Sequence, residues 1–122
     1  MNRNELEERL INFSILIYKL VDEIPKKKER VYLSNQLIRS GTSPALNYGE
    51  ATSAESKKDF IHKLQVALKE LRETFICLKI LKRTESYKSE EIITKAIAEN
   101  DELISIFVKS VMTAQNTLDR LP

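Results

Sequence analysis

One histidine and four carboxylates have the spacing of half a metal site. Asp59-x-x-His62 places a carboxylate and an imidazole on one turn of a helix, and Glu50, Glu70 and Glu73 could add oxygen ligands. A di-iron site in a helical bundle uses a Glu-x-x-His motif twice, and this chain has a single histidine. Only a site shared between subunits would satisfy that count. We therefore expect no metal and no cofactor, with His62 at the surface and Asp59 favourably placed in the first turn of a helix.

The single cysteine is the other candidate for chemistry. Cys77 lies in an apolar helical pattern with no histidine-containing motif beside it, so burial is favoured over nucleophilic use. There is also no Gly-rich phosphate loop, no nucleophile elbow and no zinc-ligand spacing. These features predict no catalytic residues, no small-molecule substrate and no enzymatic activity.

Cellular location follows from the same composition. One cysteine excludes an intrachain disulfide and is consistent with a reducing compartment. No apolar run approaches the roughly 20 residues of a membrane span, and the N-terminus lacks the apolar region of a signal peptide. We expect a cytoplasmic protein with no membrane partner.

Positive charge is concentrated in the middle of the chain. The formal net charge is +2, with about +7 in residues 26–83, about −2 in residues 1–25 and about −3 in residues 84–122. In an antiparallel bundle, the link after the first helix and the end of the third helix meet, so cations there could form a patch for phosphates. The alternative is ordinary solvated charge, which would also complement the dipole of the third helix. The residues concerned are Lys26, Lys27, Lys28, Arg30, Lys79, Lys82 and Arg83.

A narrow polar stripe runs along the second helix beside a broad apolar arc. Its members fall within an arc of about 80° on a helical wheel, and they are Gln36, Arg39, Ser43, Asn47 and Glu50. Three interpretations remain open: a solvated face, a ligand site, or a buried hydrogen-bonded network with Lys69 and Glu73 of the third helix. Arg, Asn and Glu together offer donors and acceptors, which suits a network that satisfies itself.

Four helical segments must position these residues. Apolar residues alternate in three- and four-residue steps through most of the chain, which is typical of helices with a coiled-coil-like seam. With two glycines and three prolines, the chain has few turn-formers, so the helices must be long. The predicted helices span about 4–24, 29–52, 56–83 and 89–119, in one domain covering residues 1–122. We predict an all-α fold, an antiparallel up-down-up-down four-helix bundle.

Two residues conflict with this pattern. Asn100 is the one polar member of the seam of the fourth helix, where it either fixes register or sits solvated at the edge of the seam. Pro44 removes a helical hydrogen bond to Ser40 and costs about 3 kcal/mol inside a helix. Either the helix continues with a kink, the Ser40 or Thr42 hydroxyl or a water supporting the freed carbonyl, or it restarts with Ser43 as N-cap. Local rules favour the restart.

The segment from Arg39 to Thr74 also carries a family signature. This segment, with the three residues before it, resembles the "four helix bundle protein" family. The matching residues are Gln36-Leu37-x-Arg39-Ser40-Gly41-Thr42-Ser43, Asn47, Glu50-Ala51, Ala54-Glu55-Ser56-Lys57-x-Asp59-Phe60-Ile61-His62-Lys63-Leu64, Ala67-Leu68-Lys69-Glu70 and Glu73-Thr74. The founding members of that family are encoded in intervening sequences of bacterial 23S ribosomal RNA genes. The resemblance covers most of residues 6–119.

This resemblance implies an antiparallel four-helix bundle that assembles into a ring-like homopentamer. The fold is similar to the accessory variability determinant of diversity-generating retroelements, which binds a reverse transcriptase and nucleic acid. This chain departs from the family at Pro44 and Gly49, where an apolar residue and Ala, Val or Asn are usual, and it does not obviously reproduce the Lys and Arg clusters of the retroelement protein. Because the members that match keep the second helix continuous, we expect a continuous, kinked helix at Pro44.

Two functional expectations result. The first is a non-enzymatic, self-assembling bundle that serves as an interaction scaffold, because one core need not bury the broad apolar arcs of helices two and three. The second is a nucleic-acid-binding accessory protein that uses the basic end, with RNA, DNA or a nucleic-acid enzyme as partner.

Overall fold

The computed structural model describes all residues 1–122, which form four helices and no strand. The helices are α1 (Arg3–Asp22), α2 (Lys28–Ala51), α3 (Lys57–Arg83) and α4 (Glu90–Asp119). Each helix begins and ends within two residues of its predicted bound. The predicted all-α four-helix bundle is confirmed, and no helix is both long and apolar enough to cross a membrane.

Contacts between neighbouring helices run in opposite chain directions. On the α2–α3 side, Ser40 meets Thr74 and Glu50 meets Lys63. On the α1–α4 side, Arg9 contacts Glu99 near the start of α1. At the other end of α1, the Glu23 carboxylate contacts the backbone of residues 88–89, just before α4. Each helix packs on its neighbours in sequence, and α4 closes the ring onto α1.

The predicted seams form the core. Leu6, Leu10, Phe13, Ile17 and Leu20 of α1 are all buried, in one cluster with residues of the other three helices. Across the bundle, the rings of Tyr48 and Phe107 meet edge to face with their centroids 5.9 Å apart. Burial of these apolar side chains is the main stabilising contribution of the fold, since most of the stability of a helix in a protein comes from the packing of its apolar face.

α2 continues through Pro44 as a single helix, so the restart favoured by local rules is wrong. The Thr42 hydroxyl donates to the Ile38 carbonyl, and the Ser40 hydroxyl accepts from Thr74. Neither hydroxyl donates to the Ser40 carbonyl, which Pro44 leaves without its helical partner, and support of that carbonyl by a water stays a prediction. Pro44 is buried, so packing of the apolar arc of α2 outweighs the local preference for a break.

Gly41 lets α2 approach α1 closely. A Cβ atom added at this position would lie 2.9 Å from two side-chain carbons of Ile17, which is itself fully buried. The Ser14 hydroxyl of α1 donates to the Gly41 carbonyl at 3.3 Å, one turn before Pro44. Any larger residue at this position would force the buried Ile17 side chain, or the helix that carries it, to shift.

Asn100 is fully buried, so of its two interpretations the solvated edge is wrong. Its Nδ2 atom donates to the Leu71 carbonyl of α3 at 3.0 Å. Its Oδ1 atom is buried and has no hydrogen-bond partner. The amide therefore ties α4 to one level of α3, a polar contact that selects this register at some cost in stability.

The two helical glycines provide a matched pair of variants. Gly41→Ala should lower the free energy of unfolding by about 1–3 kcal/mol, because the clash with Ile17 exceeds the gain in helix propensity. Gly49→Ala should raise it by about 0.5–1 kcal/mol, because nothing lies within 4 Å of the added Cβ. Urea denaturation of both variants measures the difference, and a neutral or stabilising Gly41→Ala would contradict the close approach.

Asn100→Asp tests the buried amide. The change keeps the side-chain shape but removes the donor to Leu71 and buries a charge, so we expect a loss of about 3 kcal/mol or more at neutral pH. Asn116→Asp, on the exposed face of the same helix, should change stability by no more than about 0.5 kcal/mol. Equal losses in thermal or urea unfolding would show that Asn100 is not held in the dry seam.

Candidate functional site

Arg39 is the centre of the polar stripe. Its guanidinium donates to Glu70 at 2.8 Å, to Glu73, and to the Gln36 side-chain oxygen at 3.1 Å. The arginine and glutamine come from α2 and the two glutamates from α3. A hydrogen-bonded network therefore joins α2 and α3 within one chain, through Gln36, Arg39, Glu70 and Glu73 and without Lys69.

This network lies at the surface and not in the core. The Arg39 side chain is 50% exposed, Glu73 37% and Glu70 13%. The pKa of Arg39 is raised above its ordinary value, mainly by its hydrogen bond to Glu70, so the guanidinium stays charged. Because its charge is already matched by two carboxylates, Arg39 is poorly suited to bind a further anion.

The remaining residues of the stripe make separate, local contacts. Asn47 donates to the Ser43 carbonyl at 3.0 Å and to its hydroxyl at 2.9 Å, within α2. Glu50 pairs with Lys63 of α3 at 3.3 Å. Lys69 is exposed and makes no ion pair or hydrogen bond, so it is not part of the network in which it was predicted.

Sequence reasoning considered Glu70 only as a metal ligand and left it out of the stripe. The signal that could have placed it is the spacing Glu70-x-x-Glu73, which puts both carboxylates on one side of α3, opposite the stripe of α2. Lys63 was also missed, and it lies two turns before Glu70 on the same helix.

Cys77 is buried one turn after Glu73. Burial raises the pKa of its thiol, the charge of Glu73 raises it further, and Arg39 opposes both effects. A thiol with a raised pKa is protonated at neutral pH and is a poor nucleophile.

The candidate metal ligands are dispersed. His62 is exposed, Glu50 is paired with Lys63, and Glu70 and Glu73 are paired with Arg39. The chain contains no group of three or more His, Cys, Asp or Glu side chains arranged to hold a metal ion.

The two basic segments lie at the same end of the bundle. The Glu23 carboxylate, at the end of α1, accepts hydrogen bonds from the backbone of Lys88 at 3.0 Å and Ser89 at 2.8 Å, in the link before α4. Of the cations there, Lys82 pairs with Glu90, and the ammonium of Lys79 lies 4.5 Å from the centre of the Phe75 ring. Lys26, Lys27, Lys28 and Arg83 are exposed and make no ion pair.

Acidic residues share this basic end. The pKa of Glu90 is lowered by its hydrogen bonds, first from Lys82 and then from Tyr87. The carboxylates in or beside the two links are Asp22, Glu23, Glu29, Glu85, Glu90 and Glu91. The end of the bundle is therefore of mixed charge, which reduces its attraction for phosphates.

An uncharged apolar surface lies on the outside of α1 and α2. We call it the α1–α2 face and define it by Ile11, Ile15, Tyr18 and Leu46, whose side chains surround a shallow groove floored by Ser14, Thr42 and Ala45. Leu46 is 70% exposed and Tyr18 52%. Sequence analysis missed the α1 half, although the steps from residue 11 to 15 and 18 form a second apolar stripe beside the buried seam.

The sequence profile of 23S rRNA-intervening sequence proteins matches residues 3–109. The chain belongs to that family. The resemblance inferred from the Arg39–Thr74 segment is thereby confirmed.

A solved relative of this family member shares its architecture. The crystal structure of a protein of unknown function from the S23 ribosomal protein family of Bacteroides thetaiotaomicron VPI-5482 superposes with a TM-score of 0.81 at 32% sequence identity. The match covers 92% of this chain and 99% of the other. No curated protein sequence matches the chain significantly.

Arg39→Gln tests the network. Two neighbouring carboxylates would lose their cation, so we expect stability to fall by about 1 kcal/mol at low salt, and by less in 1 M salt because surface charges are screened. Arg72→Gln is the control, since Arg72 is exposed on α3 and has no partner. Identical effects of both changes, at both salt concentrations, would contradict the role assigned to Arg39.

Proposed function

We propose that the protein is a non-enzymatic scaffold that assembles with copies of itself through the α1–α2 face. The observation that carries this proposal is the position of Ile11, Ile15, Tyr18 and Leu46 outside a core that is already complete. Contiguous exposed apolar surfaces of this kind typically mark interaction sites. The face carries no charge, so its partner surface must also be apolar.

The same chain offers such a partner surface. Ile104, Val108 and Met112 lie four residues apart along α4, with Met112 61% exposed and Ile104 and Val108 half-buried. We call this the α4 ridge. The ridge lies on a different helix from the α1–α2 face, so the two surfaces of one copy cannot cover each other. The face of one copy would instead meet the ridge of the next. A head-to-tail contact of this kind closes into a ring when the rotation allows it, consistent with the ring-like homopentamer that the family resemblance implies.

The candidate reactive side chains support a non-enzymatic role, because the glutamates among them are paired and their thiol is protonated. Glu70 and Glu73 are neutralised by Arg39, and the pKa of the Cys77 thiol is raised by burial. Family membership adds no catalytic residue, and the solved relative is described as a protein of unknown function. We also propose that the protein is cytoplasmic, and only its amino-acid composition supports that location.

A second candidate is a nucleic-acid-binding accessory protein that uses the basic end. Lys26, Lys27 and Lys28 favour it, since they are exposed and free of ion pairs. The six carboxylates at the same end weigh against it.

Light scattering tests the assembly with two single variants. Leu46→Glu should disable the α1–α2 face and Met112→Glu the α4 ridge, so each purified variant should be monomeric at micromolar concentration. Mixed together, they should form a heterodimer and nothing larger, because one intact face and one intact ridge remain. Tyr32→Glu, at a 74% exposed aromatic outside both surfaces, is the control and should assemble like the wild type.

A strictly monomeric wild-type protein at micromolar concentration would overturn the proposal. Monomers from the mixture would refute the pairing of face with ridge, and dissociation of the Tyr32→Glu control would refute the choice of surfaces. Circular dichroism of each variant excludes unfolding as the cause.

A further inference from the structure

We propose that the outward face of α3 is a docking surface for the phosphate backbone of nucleic acid. α3 contains eight Lys or Arg and three Asp or Glu, so it carries a formal charge of +5 while the rest of the chain carries −3. The positive charge of the protein is therefore a property of one helix. This inference does not depend on self-assembly.

The cations form a line along that helix. We call the set the α3 cationic stripe; it consists of Lys58, Lys69, Arg72, Lys79 and Arg83. At about 100° per residue these five positions fall within an arc of about 80°, and from first to last they span about 38 Å at 1.5 Å per residue. All except Lys79 are exposed, and Lys79 is half-buried with its ammonium over the Phe75 ring.

No carboxylate interrupts the stripe. The acidic residues of α3 lie outside its arc, and two of them, Glu70 and Glu73, are taken up by Arg39 of α2. None of the five cations forms an ion pair within the chain. By contrast, Arg9 on the opposite side of the bundle is held by Glu99 and Glu102.

The arrangement carries a local electrostatic cost. Lys69 and Arg72 are three residues apart and Lys79 and Arg83 four apart, so each pair repels by roughly 0.2–0.5 kcal/mol. Lys58 lies in the first turn of α3, where the helix dipole disfavours a cation. A row of bound anions would turn these repulsions into attractions.

The shape of the stripe favours a phosphate backbone over an acidic protein patch. It is straight and about 38 Å long, which is about the length of one helical turn of a DNA duplex, so it can contact the phosphate backbone on both sides of a groove. Its cations bind phosphates rather than base edges, and they outnumber the single exposed amide side chain in the same arc, Gln65. Binding should therefore be independent of sequence and strongly dependent on salt.

The test compares two quadruple variants of the full chain. One changes Lys58, Lys69, Arg72 and Arg83 to Gln; the matched control changes Lys26, Lys27, Lys28 and Arg30 to Gln. Fluorescence anisotropy would measure binding to a 16-base-pair DNA duplex and to a single-stranded RNA of 16 nucleotides, from 50 to 200 mM salt. Circular dichroism and light scattering would verify that both variants fold and assemble like the wild type.

We expect wild-type affinity for the duplex to fall about a hundredfold over this salt range, as neutralisation of about four phosphates predicts. The stripe variant should bind at least about thirtyfold more weakly at 50 mM salt, with the slope of log affinity against log salt reduced by about 3. The control should remain within about threefold of wild type.

Three results would overturn the inference. The first is no salt-sensitive binding of either probe at 50 mM salt. The second is an equal or larger loss in the control, which would move the site to the basic end. The third is binding of polyglutamate without binding of either nucleic acid, which would assign the stripe to an acidic protein partner.

Discussion

The fold depends on the close approach of α2 to α1 at Gly41. With no side chain at that position, the backbone of α2 lies directly against Ile17, and the Ser14 hydroxyl reaches the Gly41 carbonyl. Pro44 follows within one turn and is buried in the same region. The separation of these two helices then determines how the other two close the core.

α2 is the element that connects the core to the functional surfaces. On its α3 side, Ser40 bonds to Thr74 in the interior and Arg39 bonds to Glu70 and Glu73 at the surface. These contacts set the rotation of α3 about its axis, turn Glu70 and Glu73 towards α2 and leave the α3 cationic stripe on the outward side. On its α1 side, α2 contributes Leu46 to the apolar face.

The spacing of apolar residues predicted the four helices and their buried seams. The seams of four long helices are strong signals because one misplaced residue would expose a row of apolar side chains, and the Arg39–Thr74 segment identified the family. Pro44 shows where local rules fail, since its cost of about 3 kcal/mol is small beside the apolar surface that a continuous helix buries. Neither the role of the Ser40 and Thr42 hydroxyls nor the burial of Asn100 could be decided from spacing alone.

The surfaces were harder to predict because they consist of the residues that the core does not bury, and the packing of all four helices decides which residues those are. Glu70 joins Arg39 only because α3 is rotated towards α2, and Ile11, Ile15 and Tyr18 matter only because the core is filled without them. The cations that stand together in sequence, Lys26, Lys27 and Lys28, lie at an end of mixed charge. Those of the α3 cationic stripe are scattered in sequence and meet on one face of one helix.

Native-state hydrogen exchange at the residues after Pro44 tests the central claim, that α2 is one continuous helix. In such a helix the amides of Ala45, Leu46 and Asn47 donate to carbonyls four residues earlier, so they should exchange almost as slowly as the core amides of α3. If the chain broke at Ser43 and restarted, the amides of Ala45 and Leu46 would lie in a first turn without such partners, whereas Asn47 would still donate to the Ser43 carbonyl. Exchange of the Ala45 and Leu46 amides at rates near those of an unfolded chain would contradict the continuous helix, which carries Arg39 and Gly41 before Pro44 and Leu46 of the α1–α2 face after it.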